Sequence, residues 1–244
     1  RDLRMSRGLG DVYKRQIPAC GTFFVFSDYM KPAIRMAALM QVPIKFIWSH
    51  DAFRVGEDGP THEPVEQEAQ IRLMEKLKNH KGQDSVRVFR PADAGETTVC
   101  WQMAVENMDT PTALIFSRQP VNSLPEGTDY EQVRKGAYIV NGSDEDYDVI
   151  LLASGSEVAT LLAGAELLRK DGVRLRIVSV PSEGLFRCQS KEYQENILPT
   201  GAKIFGLTAG LSVTLEGLVG SNGMVYGMNS FGYSAPYKLS LIHI

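Results

Sequence analysis

Ser49-His50-Asp51, followed by Val55-Gly56-Glu57-Asp58-Gly59-Pro60-Thr61-His62-Glu63-Pro64, sets two histidines and a group of acids around a Gly-Pro turn, directly behind the apolar run Ile44 to Trp48. An apolar run of that length reads as a buried strand, so His50 and Asp51 emerge at a strand end, where open α/β sheets place their ligands. Gly56 and Gly59 permit backbone angles that residues with a Cβ resist, and Pro60 fixes φ, which predicts a rigidly shaped polar loop. A lone histidine at a strand end is most often a hydrogen-bonded structural residue, and a lone acid in a glycine loop a turn former; gathered here, they read as a binding site. The spacing His50-x11-His62 would also suit a metal. No C-x-x-C or H-E-x-x-H pairing accompanies it, and the turn from Asp58 to His62 suits hydroxyl recognition as well.

Working outward, helical periodicity spans Tyr29 to Met40, Pro64 to Leu77 and Asp93 to Glu106. It alternates with strand-like runs at Ile44 to Trp48, Val86 to Phe89 and Ala113 to Phe116. Strands alternating with helices predict parallel βαβ units. Residues 120–147 change character, with Asn122, Ser123, Pro125, Gly127 and an acidic Asp144-Glu145-Asp146 run around one strand-like piece, Ala137 to Val140, and read as an interdomain connection. A second α/β series follows: strand Val149 to Ala153, helix Ser156 to Lys170, strand Leu175 to Val180 and strand Lys203 to Leu207. Ala153-Ser154-Gly155-Ser156-Glu157 is readable either as a weak anion cradle or as an ordinary turn with Ser154 or Ser156 at a helix N-cap.

Composition bounds the function. The 244 residues carry a formal net charge of -3, which gives no hint of a nucleic-acid partner. No apolar run reaches the length of about 18 residues that a membrane helix needs. Cys20, Cys100 and Cys188 are odd in number and widely spaced, which predicts reduced thiols.

The stretch from Gly56 to Pro64 behind His50-Asp51 resembles the signature of transketolases. The resemblance continues through Thr22-Phe-Phe-Val-Phe-Ser-Asp-Tyr29, Arg35-Met-Ala-Ala-Leu-Met40, Arg90-Pro91 and Phe116-Ser-Arg-Gln119, and covers roughly Cys20 to Lys238. Related thiamine-diphosphate enzymes such as deoxyxylulose-phosphate synthase look similar around Asp-Gly-Pro-Thr-His, but usually lack the preceding Glu and the His-Asp spacing.

The resemblance implies two parallel-sheet α/β domains: part of a pyrimidine-binding middle domain over 17–119, and a C-terminal α/β domain over 148–238. It implies a soluble, cytoplasmic, homodimeric enzyme of the pentose phosphate pathway, which moves a two-carbon ketol unit between ketose and aldose phosphates with thiamine diphosphate and Mg²⁺ or Ca²⁺. By the same resemblance, Phe23, Phe26 and Tyr29 lie beside the aminopyrimidine, Phe26 foremost. His50 and Arg118 bind the sugar phosphate, Asp58 accepts from the hydroxyl next to the carbonyl, and His62 assists polar contacts or proton movement. From the residues alone, the i, i+3, i+6 spacing of Phe23, Phe26 and Tyr29 equally describes a helix core face. The family's catalytic glutamate, its metal ligands and its diphosphate-binding residues fall before Cys20, so the chain by itself is expected to be inactive. A C-terminal subunit of a split transketolase, or a non-catalytic α/β binding module, are the alternatives.

The ends stand outside this pattern. Asp11-Val-Tyr-Lys-Arg-Gln16 can be encoded by GAT GTG TAT AAG AGA CAG, whose reverse complement encodes Leu239-Ser-Leu-Ile-His-Ile244. One DNA element read in both directions resembles a sequencing-library transposon adaptor. Residues 1–16 and 239–244 are therefore expected to be non-native, flanking an internal segment of a longer protein.

Overall fold

The computed structural model describes residues 16–52, 55, 57–142 and 146–234; the adaptor-like segments (Gln16 apart), Gly56 and the acids Asp144 and Glu145 lie outside them. Two sheets follow one another along the chain. The first contains β1 (Ala19–Phe23), β2 (Lys45–Ser49), β3 (Arg87–Phe89) and β4 (Thr112–Ile115), in the order β1-β2-β4-β3 with every pairing parallel. All four carboxyl ends therefore open along one edge.

Helices α1 (Lys31–Met40), α2 (Gln67–Glu75) and α3 (Ala94–Glu106) connect these strands. Asp93 fixes the start of α3, because its Oδ1 accepts from the Glu96 N–H at 2.9 Å, and Pro32 lies in the first turn of α1, where its missing N–H has no partner to lose. The core of this sheet is aromatic: Trp48 is fully buried against Phe24 and Phe46, with its indole N–H donating toward the Met30 sulfur at 3.3 Å. Burial of the strand residues on both faces explains their unbroken apolar runs.

The second sheet has the order β5-β7-β6-β8-β9, from β5 (Tyr138–Gly142), β6 (Val149–Ala153), β7 (Leu175–Ser179), β8 (Ile204–Leu207) and β9 (Met224–Tyr226). Only β5 runs antiparallel to its neighbour. It comes from the strand-like piece inside the segment 120–147, so part of that connection is an edge of the second sheet. Helix α4 (Glu157–Lys170) lies where the periodicity places it. Three short helices, α5 (Glu183–Arg187), α6 (Lys191–Ile197) and α7 (Val213–Val219), complete the domain. No helix among the described residues is long and apolar enough to cross a membrane, and all three cysteines are free.

One apolar cluster runs through both sheets, joining Phe89 and Leu114 of the first to Leu151 and Ile177 of the second through Val99, Cys100 and Met103 of α3. Beside it Glu96, also on α3, is completely buried. It accepts from the Ser179 hydroxyl (2.6 Å), the Tyr138 hydroxyl (2.9 Å) and the Ala92 N–H (2.6 Å). Burial raises its pKa to about 7, with these hydrogen bonds opposing the rise. The folded chain thus holds a proton that the unfolded carboxyl, near 4.5, gives up. The stability this supplies is full below about pH 4.5 and is lost as the pH rises through 7. Glu96→Gln should flatten the fall in unfolding free energy across that window, read from urea melts at several pH values; a slope equal to that of the unsubstituted chain would contradict the assignment.

Candidate functional site

The crevice lies along the carboxyl edge of the first sheet. Phe23 ends β1, His50 follows β2 and Arg118 follows β4, and β2 and β4 are parallel neighbours. The sheet order thus brings together residues up to 95 positions apart in sequence. Residues 57–66, carrying Asp58 and His62, form an irregular loop above this edge. Gly59 in that loop has φ +78°, an angle a side chain resists.

Phe23, Phe26 and Tyr29 do not form a helix core face. Phe23 is the last residue of β1, and residues 24–30 form a 3₁₀ helix whose buried positions are Phe24 and Ser27. In a 3₁₀ helix residues three apart eclipse one another, so Phe26 and Tyr29 share the opposite side, their ring centroids 6.2 Å apart. Tyr29 is 81% exposed. The Phe23 ring is stacked on His50 at 3.7 Å between centroids, while Phe26 meets the His62 ring edge-on at 5.3 Å. Phe23 has one face covered by His50; Phe26, half-buried, keeps part of its ring open.

His50 adopts a left-handed backbone conformation, φ 61°, which is rare for a residue with a Cβ. Its Nδ1 lies 2.8 Å from the Ser49 hydroxyl. Burial lowers its pKa, and Arg118 and His62 lower it further, whereas Asp58 and Asp51 act in the opposite direction. The four polar residues singled out in the sequence therefore share one electrostatic neighbourhood. His62 Nδ1 lies 2.8 Å from the Thr61 hydroxyl, and Asp58 and Arg118 are exposed. Among the described residues no group of three or more His, Cys, Asp or Glu side chains could hold a metal ion.

Two further features escaped the sequence. Asp51, next to His50, does not face the crevice as a free acid: it is buried and accepts from Arg90 Nε (3.1 Å), Arg90 Nη2 (2.8 Å) and the Ser117 hydroxyl (3.1 Å). Arg90 also meets Glu157 and the Ser154 carbonyl (2.8 Å) of the second domain, and lies 3.5 Å from Glu68. Burial opposes its charge, but Glu157, Glu68 and Asp51 outweigh that and raise its pKa well above the ordinary value. The turn at Ser154-Gly155-Ser156 is accordingly neither an anion cradle nor a side-chain cap. Ser156 sits at the N-cap without a capping hydrogen bond, and Gly155 lets the Arg90 guanidinium lie where a Cβ would come within 2.7 Å of Cζ.

The second feature is Glu63. It is buried, neither carboxyl oxygen has a hydrogen-bond partner among the described residues, and burial, then Asp58, raises its pKa to about 7. A neutral acid against the Gly232 backbone fits that setting. An acid beside His62 in the same loop was the available signal, but burial could not be read from it.

A parallel α/β sheet with aromatic rings, two histidines and an arginine at its carboxyl edge, followed by a second mainly parallel sheet, defines a two-domain α/β class. The family description "Transketolase, pyrimidine binding domain" matches residues 10–123, and "Transketolase-like TK C-terminal domain" matches residues 136–243. The chain belongs to the transketolase family. It is 45% identical over 218 residues to a transketolase of Halalkalibacterium halodurans, covering 88% of this chain and 31% of that protein. Among solved structures, a Campylobacter jejuni transketolase superimposes with TM-score 0.79 at 39% identity, covering 93% of this chain and 33% of the other. A Pichia stipitis transketolase mutant in complex with xylulose 5-phosphate does so with TM-score 0.78 at 33% identity, covering 91% of this chain and 31% of the other. The chain spans about a third of the length of the curated relatives it matches.

Proposed function

We propose that residues 17–234 supply the aminopyrimidine-facing and sugar-phosphate-facing part of a transketolase, which transfers a two-carbon ketol unit between ketose and aldose phosphates. The observation that carries this is the convergence of Phe26, His50, His62 and Arg118 on the carboxyl edge of one parallel sheet. Thiamine diphosphate, when bound, supplies the carbon nucleophile. The open part of the Phe26 ring fits a flat heterocycle by offset stacking, and Phe23 and Tyr29 flank it.

His50 and Arg118 then take the substrate phosphate, the arginine through its planar fork, Asp58 accepts from the hydroxyl next to the carbonyl, and His62 assists polar contacts or holds a proton there. Burial, then Arg118, lowers the His50 pKa in the free site, where the ring lies against Phe23 and can offer phosphate an N–H. The divalent metal and the diphosphate are proposed to be held by the part of the enzyme outside these residues. A homodimer acting in the cytoplasm is the assembly this reading carries.

A chimera carrying residues 17–234 in place of the matching third of a curated relative tests the reading. It should turn over ketose phosphates in a coupled assay, whereas the 244-residue chain alone should not. Phe26→Ala in the chimera should weaken thiamine diphosphate binding by about 1 kcal/mol or more through loss of ring stacking. An inactive but folded chimera, or unchanged cofactor affinity in the variant, would contradict it.

A further inference from the structure

His50 has φ 61°, a left-handed conformation uncommon for a residue with a Cβ. The residue after it, Asp51, is anchored through its buried carboxylate. Its Oδ2 alone receives Arg90 Nε, Arg90 Nη2 and the hydroxyl of Ser117, and Ser117 immediately precedes Arg118. One oxygen thus ties the residue after His50 to the residue before Arg118.

Arg90, in turn, is fixed from the second domain. Its N–H donates to the Pro181 carbonyl (2.9 Å), and its own carbonyl accepts from the Gly155 N–H (3.1 Å). Its guanidinium donates to the Ser154 carbonyl and to Glu157, and lies against Gly155. Glu157 is buried at the start of α4 in the second domain, where its Oε1 accepts from the Ser156 hydroxyl (2.8 Å) while its other oxygen meets Arg90.

We propose that Glu157, acting across the domain boundary through Arg90, Asp51 and Ser117, is a positioning residue that holds His50 and Arg118 where they bind phosphate. The proposal rests on the phosphate reading of that pair. It gives the second domain a part in substrate recognition: the spacing of the two phosphate ligands is coupled to domain docking.

Histidine-labelled chain observed by NMR tests this with two readouts that a purely structural role would leave alone. The first is the upfield shift that the Phe23 ring imposes on His50 at 3.7 Å; the second is the affinity for inorganic phosphate, followed at the same resonance. Glu157→Gln, checked by circular dichroism to be folded, should lose much of the upfield shift and bind phosphate roughly tenfold more weakly, within the range of interdomain coupling. Ser117→Ala leaves every ion pair in place. It should show the same change to a smaller degree, about threefold in affinity, the size of one net hydrogen bond, and decides the matter if Glu157→Gln does not fold. Folded variants with the His50 shift and phosphate affinity of the unsubstituted chain would overturn the proposal. Failure of phosphate to perturb His50 in the unsubstituted chain would instead remove the phosphate assignment, while the ring-shift comparison would still test the relay.

Discussion

Replacing Arg90 by methionine should lower the unfolding free energy of the chain by about 3 to 5 kcal/mol, the usual cost of removing one partner from a buried ion pair. Arg90 is 1% exposed, and its guanidinium faces Asp51, Glu157 and Glu68, all buried. Methionine fills a similar volume, so packing changes little, and the loss comes from Asp51 and Glu157 left without a cation in a site too buried for water to compensate. Arg72 cannot step in, since it already serves Glu68 at 3.0 Å and lies 3.7 Å from Glu75. Arg90→Lys should recover only part of the loss, because an ammonium cannot offer Asp51 the two N–H groups that now meet one oxygen. Urea denaturation followed by circular dichroism measures the difference. A change below about 1 kcal/mol, the range of exposed ion pairs, would show that this network contributes no more than a surface pair.

The α/β alternation was legible where a short apolar strand is followed by a periodic helix, as at β2 and β6. Ile44 to Trp48 and Val149 to Ala153 fall within a residue or so of β2 and β6. Strand β1 was not legible, since Ala19–Phe23 contains a cysteine, a glycine and a threonine and runs straight into a 3₁₀ helix. The antiparallel direction of β5 was hidden for a different reason: direction depends on which strand it meets, and its partner β7 begins more than thirty residues later.

In the crevice, residue types and the family pattern singled out Phe23, Phe26, Tyr29, His50, Asp58, His62 and Arg118, and the fold gathers them along one edge. Tertiary partners were the invisible part. Asp51 looked like another site acid because sequence shows its neighbour His50 but not Arg90 or Ser117, and Arg90 looked like part of a motif because Glu157 lies 67 positions away in the other domain. The strained φ of His50 left no trace in the residue itself.

The phosphate assignment of Arg118 carries the second large expected effect. Arg118 is exposed at the end of β4, next to a His50 that its charge already perturbs, and a charge-assisted hydrogen bond to phosphate contributes about 1.5 to 3 kcal/mol. On that assignment, removing the guanidinium should take away contacts that only a phosphorylated sugar makes, raising KM for such substrates and leaving unphosphorylated acceptors and donors nearly untouched. Arg118→Lys retains charge without the fork and should fall between the two. The deciding measurement is therefore the steady-state kinetics of Arg118→Ala, in the chimera that carries residues 17–234, on matched phosphorylated and unphosphorylated ketoses. A raised KM for the phosphorylated sugar alone is the expected result; an equal proportional loss on both would contradict a sugar-phosphate site at the carboxyl ends of β2 and β4.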